Sequence, residues 1–202
     1  TERADILYKR RGLALANCGR DILFSACSWG VCDTRTWVAE TGASMWRSTG
    51  DLHDSWVSLK DMSLRRIKGL EFGGTGCYND MDMLVVGMHG NGDNAEVLGN
   101  VVGGCSDTEY KTHFALWSIM NSPLMIGCDI RKMSDTTKEI LMNKDIIAIN
   151  QDIECRGPYC IKQWNNPENV FALIKPLNGG DYAIGMFNFG DKTNETASKD
   201  KI

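Results

Sequence analysis

The sequence has no long apolar run and few of the residues that bind metal ions. Its most apolar windows, LMIGC at 124–128 and IIAI at 146–149, are far shorter than the roughly 20 residues that a membrane-spanning helix needs. It contains three histidines and no paired C-x-x-C units, so a metal centre is disfavoured. We therefore expect neither a membrane span nor a bound metal.

The chain also lacks an excess of positive charge. Its net charge is -4 without long basic runs, so it offers no face that would neutralise phosphates, and neither nucleic acid nor an anionic membrane surface is an expected partner. The first residues, TERADILYKRR, are charged where a signal peptide would be apolar. They show no secretory address, and the missing initial methionine hints at a fragment.

Eight cysteines are scattered along the chain instead of forming the dense framework of a small secreted domain; they are Cys18, Cys27, Cys32, Cys77, Cys105, Cys128, Cys155 and Cys160. This distribution favours reduced thiols and a cytoplasmic over a secreted location. The pair in CRGPYC, Cys155 and Cys160, is the first to test for a disulfide.

The hydrophobic pattern alternates between two periods. Helical spacing predicts helices over 4–18, 33–42, 52–70, 108–121 and 134–150, with Asp33 and Ser134 as candidate N-caps. Short apolar runs predict strands over 22–27, 43–48, 81–87 and 123–130. Helices that alternate with strands across short connections are typical of parallel βαβ units.

Beyond about residue 160 the pattern becomes antiparallel β. Three extended runs, IKQWNN, ENVFALIKPL and DYAIGMFNFG, are separated by the turn sequences NNP and NGG, and a polar tail, NETASKDKI, follows. The four βα units match half of an eight-unit barrel. A doubly wound open sheet would also accept them, although its usual glycine-rich phosphate loop is absent.

Polar residues lie at or beside the ends of the predicted strands, and the carboxyl ends of parallel barrel strands converge on one face. The residues concerned are Ser28 and Trp29, then Arg47 and Asp51, then Asp80 and Asp82, and finally Asp129. Paired carboxylates beside an aromatic ring suit a sugar, since they supply an acid and a nucleophile while the ring covers the apolar sugar face. The alternatives are that Asp80 and Asp129 are helix N-caps and that Trp29 belongs to the core.

Five motifs taken in order carry a family resemblance: FSACSWG, MWRSTGD, YNDMDMLVVG, ALWSIMNSPLMIGCDIR and KDIIAINQD. They resemble the retaining α-galactosidases and α-N-acetylgalactosaminidases of glycoside hydrolase family 27, the melibiases, over about residues 5–155. The resemblance implies a (β/α)8 barrel of which residues 1–158 form the C-terminal half, strands five to eight. It also implies that residues 159–202 begin a truncated antiparallel β-sandwich.

The resemblance also implies residue roles. Arg47 matches a substrate-binding arginine, and Asp51 matches the general acid/base. Trp29, Asp82 and Met83 match positions that contact the sugar. The implied hydrolysis of terminal α-linked galactose needs no metal or organic cofactor.

Two departures from the family pattern matter. The family nucleophile is an aspartate in a K-x-D motif upstream of everything in this chain, so this chain alone should be inactive, and an N-terminal half-barrel or a second copy should supply that residue. In secreted relatives the cysteine at the position of Cys27 pairs with one near the nucleophile, and that partner is also absent. Ser28 stands where many α-galactosidases carry a larger side chain, which leaves room for a 2-acetamido group.

Three hypotheses follow. The first is part of a retaining exo-α-galactosidase that acts on oligosaccharides or glycoconjugates. The second is an α-N-acetylgalactosaminidase, favoured by Ser28. The third is a non-catalytic galactose-binding or assembly subunit.

Overall fold

The computed structural model describes residues 2–91, 96–97, 100–101, 103–164 and 170–190. Its first part contains a parallel sheet of three short strands: β1 (Ser25–Cys27), β2 (Met45–Arg47) and β3 (Tyr78–Asp80). The register places the last residues of the three strands, Cys27, Arg47 and Asp80, side by side. The α/β class predicted from the alternating pattern is confirmed.

Five α-helices accompany this sheet within the described ranges: α1 (Glu2–Ala16), α2 (Trp56–Ile67), α3 (Asp107–Ile119), α4 (Asp135–Leu141) and α5 (Lys144–Asn150). No helix in the described ranges is long and apolar enough to cross a bilayer. Ser134 caps α4 as predicted. The single helix predicted over 134–150 is wrong, because Asn143 accepts a hydrogen bond from the Ile146 amide and starts a separate helix.

The helix predicted over 33–42 is also wrong. The segment forms two 3-10 turns, Thr34–Thr36 and Val38–Thr41. Asp33 adopts a left-handed conformation with φ 49°, and its side chain caps nothing. Threonine hydroxyls in this segment donate to the backbone carbonyls three residues earlier, which offers the backbone an alternative to a regular helix.

The two later strands of the parallel pattern are much shorter than predicted. Over 81–87 and 123–130 the backbone forms one isolated parallel bridge, between Leu84 and Ile126. Asp82 has φ 94°, which takes the chain out of the extended conformation directly after β3. The prediction that the 81–87 run is buried is correct at Leu84, Val85 and Val86.

The antiparallel sheet predicted near the C-terminus is present. It consists of β6 (Tyr159–Trp164), β7 (Val170–Pro176) and β8 (Tyr182–Asn188) in sequential order. The NGG turn is confirmed, with positive φ at Gly179 and Gly180. A short hairpin of β4 (Glu96–Val97) and β5 (Asn100–Val101) was not predicted, and the NNP turn and the polar tail lie outside the described residues.

One hydrophobic core joins the two parts. Phe171 and Leu173 on β7 belong to the same buried cluster as Leu116, Trp117 and Ile119 on α3. The antiparallel sheet therefore packs with one face against the helical layer.

Lys175 on β7 is a fully buried charge in this contact. Its Nζ donates to Asn121 Oδ1 at 2.9 Å and to the Ile149 carbonyl at 2.6 Å, so it connects the antiparallel sheet to the ends of α3 and α5. Burial lowers its pKa from 10.5 to about 8, against the opposing effect of Asp152.

We expect this lysine to make stability depend on alkaline pH. Between pH 8 and 10.5 the folded chain releases the Lys175 proton while the unfolded chain keeps it, so the free energy of unfolding should rise with pH. At about 1.4 kcal/mol per pKa unit, the rise is at most about 3 kcal/mol. Thiols and phenols also titrate in this range, so the test is a difference between two proteins. Urea denaturation at several pH values should show the parent gaining stability relative to Lys175→Met as pH rises from 8 to 10.5. A constant difference between the two proteins would contradict the prediction.

Candidate active site

The candidate site lies at the carboxyl ends of the parallel strands. Because Cys27, Arg47 and Asp80 end three aligned strands, the loops that follow start from the same edge of the sheet. The Gly30 amide donates to the Arg47 carbonyl at 3.1 Å, and the Ser48 amide donates to the Asp80 carbonyl at 3.0 Å. These hydrogen bonds hold the loop after β1 to the end of β2, and the loop after β2 to the end of β3.

Arg47 lies between two carboxylates. Its Nη2 is 3.0 Å from Asp82 Oδ2 and 3.1 Å from Asp51 Oδ1. The same nitrogen donates to the Gly50 carbonyl at 2.7 Å, which helps to shape the turn that brings Asp51 back over the strand end. The structure therefore brings together three of the residues selected from the sequence.

The two carboxylates differ in how completely their oxygens are used. Both oxygens of Asp82 accept backbone amides at 2.7 Å, from Leu52 and from Met83. Of the two Asp51 oxygens, Oδ1 accepts a hydrogen bond from Arg47, and Oδ2 has no partner among the described residues. The Asp51 side chain is 55% exposed. Asp82 is held in place, whereas Asp51 keeps an oxygen that can face a ligand.

Arg47 also has an unused donor. Its side chain is only 14% exposed, and its buried Nε has no hydrogen-bond partner among the described residues. A buried N–H without an acceptor costs free energy.

Asp80 is buried beside this group and has a different local role from the one considered for it. It accepts the Asp82 amide at 2.8 Å, so it stabilises the turn after β3 instead of capping a helix. Burial raises its pKa, and the nearby Arg47 charge opposes that effect. Asp129, by contrast, caps the 3-10 turn Ile130–Lys132 and pairs with Arg131, as the alternative interpretation predicted.

The remaining predicted site residues lie around these strand ends. Trp29 has φ 53° and a side chain 56% exposed, so it is not a core residue. The Ser28 hydroxyl lies 2.6 Å from that of the buried Thr34. Met83 is partly buried, and any side chain at Gly127 would collide with its sulfur.

The cysteine chemistry considered for the CRGPYC segment is not seen. Cys155 and Cys160 are not joined by a disulfide, and the Tyr78 hydroxyl hydrogen-bonds to the Cys155 sulfur at 3.1 Å. Within the described ranges no three His, Cys, Asp or Glu side chains gather closely enough to hold a metal ion.

Sequence reasoning missed the residues behind the site. Asp54, three residues after Asp51, is fully buried. So are Tyr110, His113 and Trp117, which hydrogen-bond to Asp54, to the Val85 amide and to the Asp82 carbonyl respectively. The three- and four-residue spacing of the last three on α3 was the available signal, but it predicts an ordinary buried helix face equally well.

The chain is similar in sequence to known proteins. Residues 2–152 match the family model Melibiase_2, described as alpha galactosidase A. An α-galactosidase of Cyamopsis tetragonoloba is 41% identical over 182 residues, which are 90% of this chain and 40% of that protein. The chain therefore spans well under half the length of this relative.

Solved structures show the same similarity. α-Galactosidase I from Mortierella vinacea superposes with a TM-score of 0.78 at 26% identity, covering 93% of this chain and 48% of that one. A family 27 β-L-arabinopyranosidase from Geobacillus stearothermophilus gives 0.77 at 27% identity over 93% and 42%. Similar scaffolds thus carry names that refer to different sugars.

Proposed function

Because this chain belongs to glycoside hydrolase family 27, the melibiases, we propose that it is the C-terminal catalytic portion of a retaining exo-α-galactosidase. The complete enzyme would remove terminal α-linked galactose from oligosaccharides or glycoconjugates. The observation that carries this proposal is the placement of Asp51 and Asp82 on one arginine, Arg47, at the carboxyl edge of a parallel sheet.

In this proposal Asp51 is the general acid/base. It is the carboxylate with an oxygen left for a ligand, and it protonates the leaving oxygen and then activates water. The nucleophile that attacks the anomeric carbon lies outside this chain. Asp82 is a poor candidate for that role, because both its oxygens already accept backbone amides.

The other residues bind the sugar. Trp29, exposed at the end of β1, covers the apolar face of the ring. Arg47 and Asp82 bond sugar hydroxyls, with Met83 beside them. Ser28 borders the 2-position of the sugar, where its small side chain sets the available room.

We assign residues 1–158 to the C-terminal half of a (β/α)8 barrel and 159–202 to the start of a β-sandwich. Leu23, Met125 and Ile126 are exposed apolar side chains. A cavity of about 530 Å³, lined in part by Leu23, Met45 and Met125, opens on this side. An N-terminal half-barrel that carries the nucleophile would cover this surface. On β8, exposed Tyr182, Ile184 and Met186 form the face that a second sheet would cover.

The test compares two proteins. One is this chain alone, and the other, called the joined protein, has the N-terminal half-barrel followed by this chain. We expect no turnover of nitrophenyl α-galactoside by the chain alone and clear turnover by the joined protein, because only the latter has both carboxylates. If the chain alone hydrolyses this substrate and Asp51→Asn abolishes the activity, the proposal that this chain holds only one of the two catalytic carboxylates is contradicted.

Three further readouts separate the alternatives. Preferential hydrolysis of the α-N-acetylgalactosaminide by the joined protein would favour that specificity. Galactose binding without hydrolysis would favour a non-catalytic subunit. A dimer of the chain that is active would assign the missing half to a second copy.

A further inference from the structure

One face of α3 bonds to two segments of the candidate site, the Asp51 loop through Asp54 and the stretch from Asp82 to Val85. Tyr110, His113 and Trp117 follow each other at intervals of three and four residues, so they share one side of the helix. All three side chains are fully buried. Each places a polar group on a segment that carries or borders Asp51 or Asp82.

Trp117 fixes the backbone of Asp82. Its indole Nε1 donates to the Asp82 carbonyl at 2.8 Å, while the Asp82 amide donates to Asp80 Oδ1 at 2.8 Å. Asp82 has φ 94°, a conformation that a residue with a side chain adopts only when its surroundings impose it. Removal of the indole N–H would free one of these two restraints.

His113 fixes the same segment three residues later. Its Nε2 accepts the Val85 amide at 3.1 Å, and its ring packs edge-on against Trp117 with centroids 4.1 Å apart. Adjacent turns of α3 therefore restrain both ends of the stretch from Asp82 to Val85.

Tyr110 acts on the other carboxylate through Asp54, which lies three residues after Asp51. The Tyr110 hydroxyl donates to Asp54 at 2.8 Å and accepts the His89 amide at 2.8 Å. Burial and the Asp54 carboxylate raise the pKa of Tyr110, so its hydroxyl stays protonated. Asp54 is completely buried, and a buried carboxylate keeps its place only when fully bonded.

Asp54 also closes the base of the long loop that follows. Its oxygens accept the Gly90 amide at 2.8 Å and the Cys105 amide at 3.2 Å. These amides lie at the two ends of that loop. One carboxylate therefore links the Asp51 loop, the base of the following loop and α3.

We infer that Tyr110, His113 and Trp117 are positioning residues that set the places of Asp51 and Asp82 from behind. None of them needs to touch the sugar. Their catalytic meaning rests on the proposed function, whereas their structural action on the two loops does not.

The first test measures amide hydrogen exchange residue by residue in this chain. In Trp117→Phe the Leu52 and Met83 amides, which bond to Asp82, should exchange about tenfold faster, the effect of one lost hydrogen bond. In Tyr110→Phe the Gly90 and Cys105 amides, which bond to Asp54, should also exchange about tenfold faster.

Phe114→Leu is the matched control, because Phe114 is a buried side chain of α3 with no bond to either loop among the described residues. Exchange is compared at equal overall stability, adjusted with urea. Equal rates at these amides in the control and in both test variants would overturn the inference.

The second test uses kinetics of the joined protein. Relative to Phe114→Leu, Trp117→Phe should raise KM about tenfold with little change in kcat, since Asp82 binds substrate. Tyr110→Phe should lower kcat more than it raises KM. Uniform losses in all three variants would overturn the inference. If the parent joined protein shows no turnover, the proposed function fails, and the exchange experiment still decides the positioning role.

Discussion

Replacement of Asp51 by asparagine should lower the turnover of the joined protein by about a thousandfold, because the general acid/base typically contributes a factor of about 10² to 10⁴. An asparagine at this position would keep the size of the side chain and its hydrogen bond from Arg47, so the change removes the ionisable oxygen and little else. The measurement is kcat/KM on an α-galactoside with a sugar leaving group. A nitrophenolate leaves without protonation and would hide part of the loss.

The matched control is Asp129→Asn. Asp129 is another exposed aspartate at the end of a predicted strand, but it caps a 3-10 turn and pairs with Arg131. Asparagine is an equally good cap, so activity should stay within about twofold. An Asp51→Asn protein that retains more than a tenth of the parent rate would refute the assigned role.

Acidification should destabilise the protein through His113. Burial lowers the pKa of this imidazole from 6.5 to about 3, and its Nε2 must stay unprotonated to accept the Val85 amide. Between pH 6.5 and 3 His113 is protonated in the unfolded chain and neutral in the folded chain, so the free energy of unfolding falls as pH falls. At about 1.4 kcal/mol per pKa unit, the loss approaches about 5 kcal/mol.

Other groups also titrate in this range, so the test is a difference between two proteins. Glutamine at position 113 offers an oxygen to the Val85 amide and does not titrate. Urea denaturation at several pH values should show the parent losing stability relative to His113→Gln from about pH 6.5 downward, with the difference constant above about pH 7. Parallel curves across this whole acid range would refute the prediction.

The site was predictable where its features are local. Arg47 ends an apolar run and Asp51 lies in the polar turn after it, and this pattern is visible in the sequence. Ser134 was predictable as a cap for the same reason. The segment from 33 to 42 was misjudged, because threonine hydroxyls there compete for backbone carbonyls, a preference that hydrophobic spacing does not report.

The support behind the site was not predictable from spacing. The contact between Leu52 and Asp82 spans 30 residues, and that between Trp117 and Asp82 spans 35. No local sequence pattern predicts contacts between residues so far apart in the chain. The positive φ of Asp82 is held in part by Trp117 on α3, and it takes the chain out of the extended conformation at the start of the strand predicted over 81–87.

The sequence by itself determined the α/β pattern, the antiparallel C-terminal strands and the polar residues at the strand ends, since propensity, periodicity and capping act over a few neighbouring residues. Only the tertiary structure decided that Arg47 links Asp51 to Asp82 and that α3 supports the site. Those outcomes depend on the parallel register and on buried groups that must find hydrogen-bond partners wherever the fold brings them.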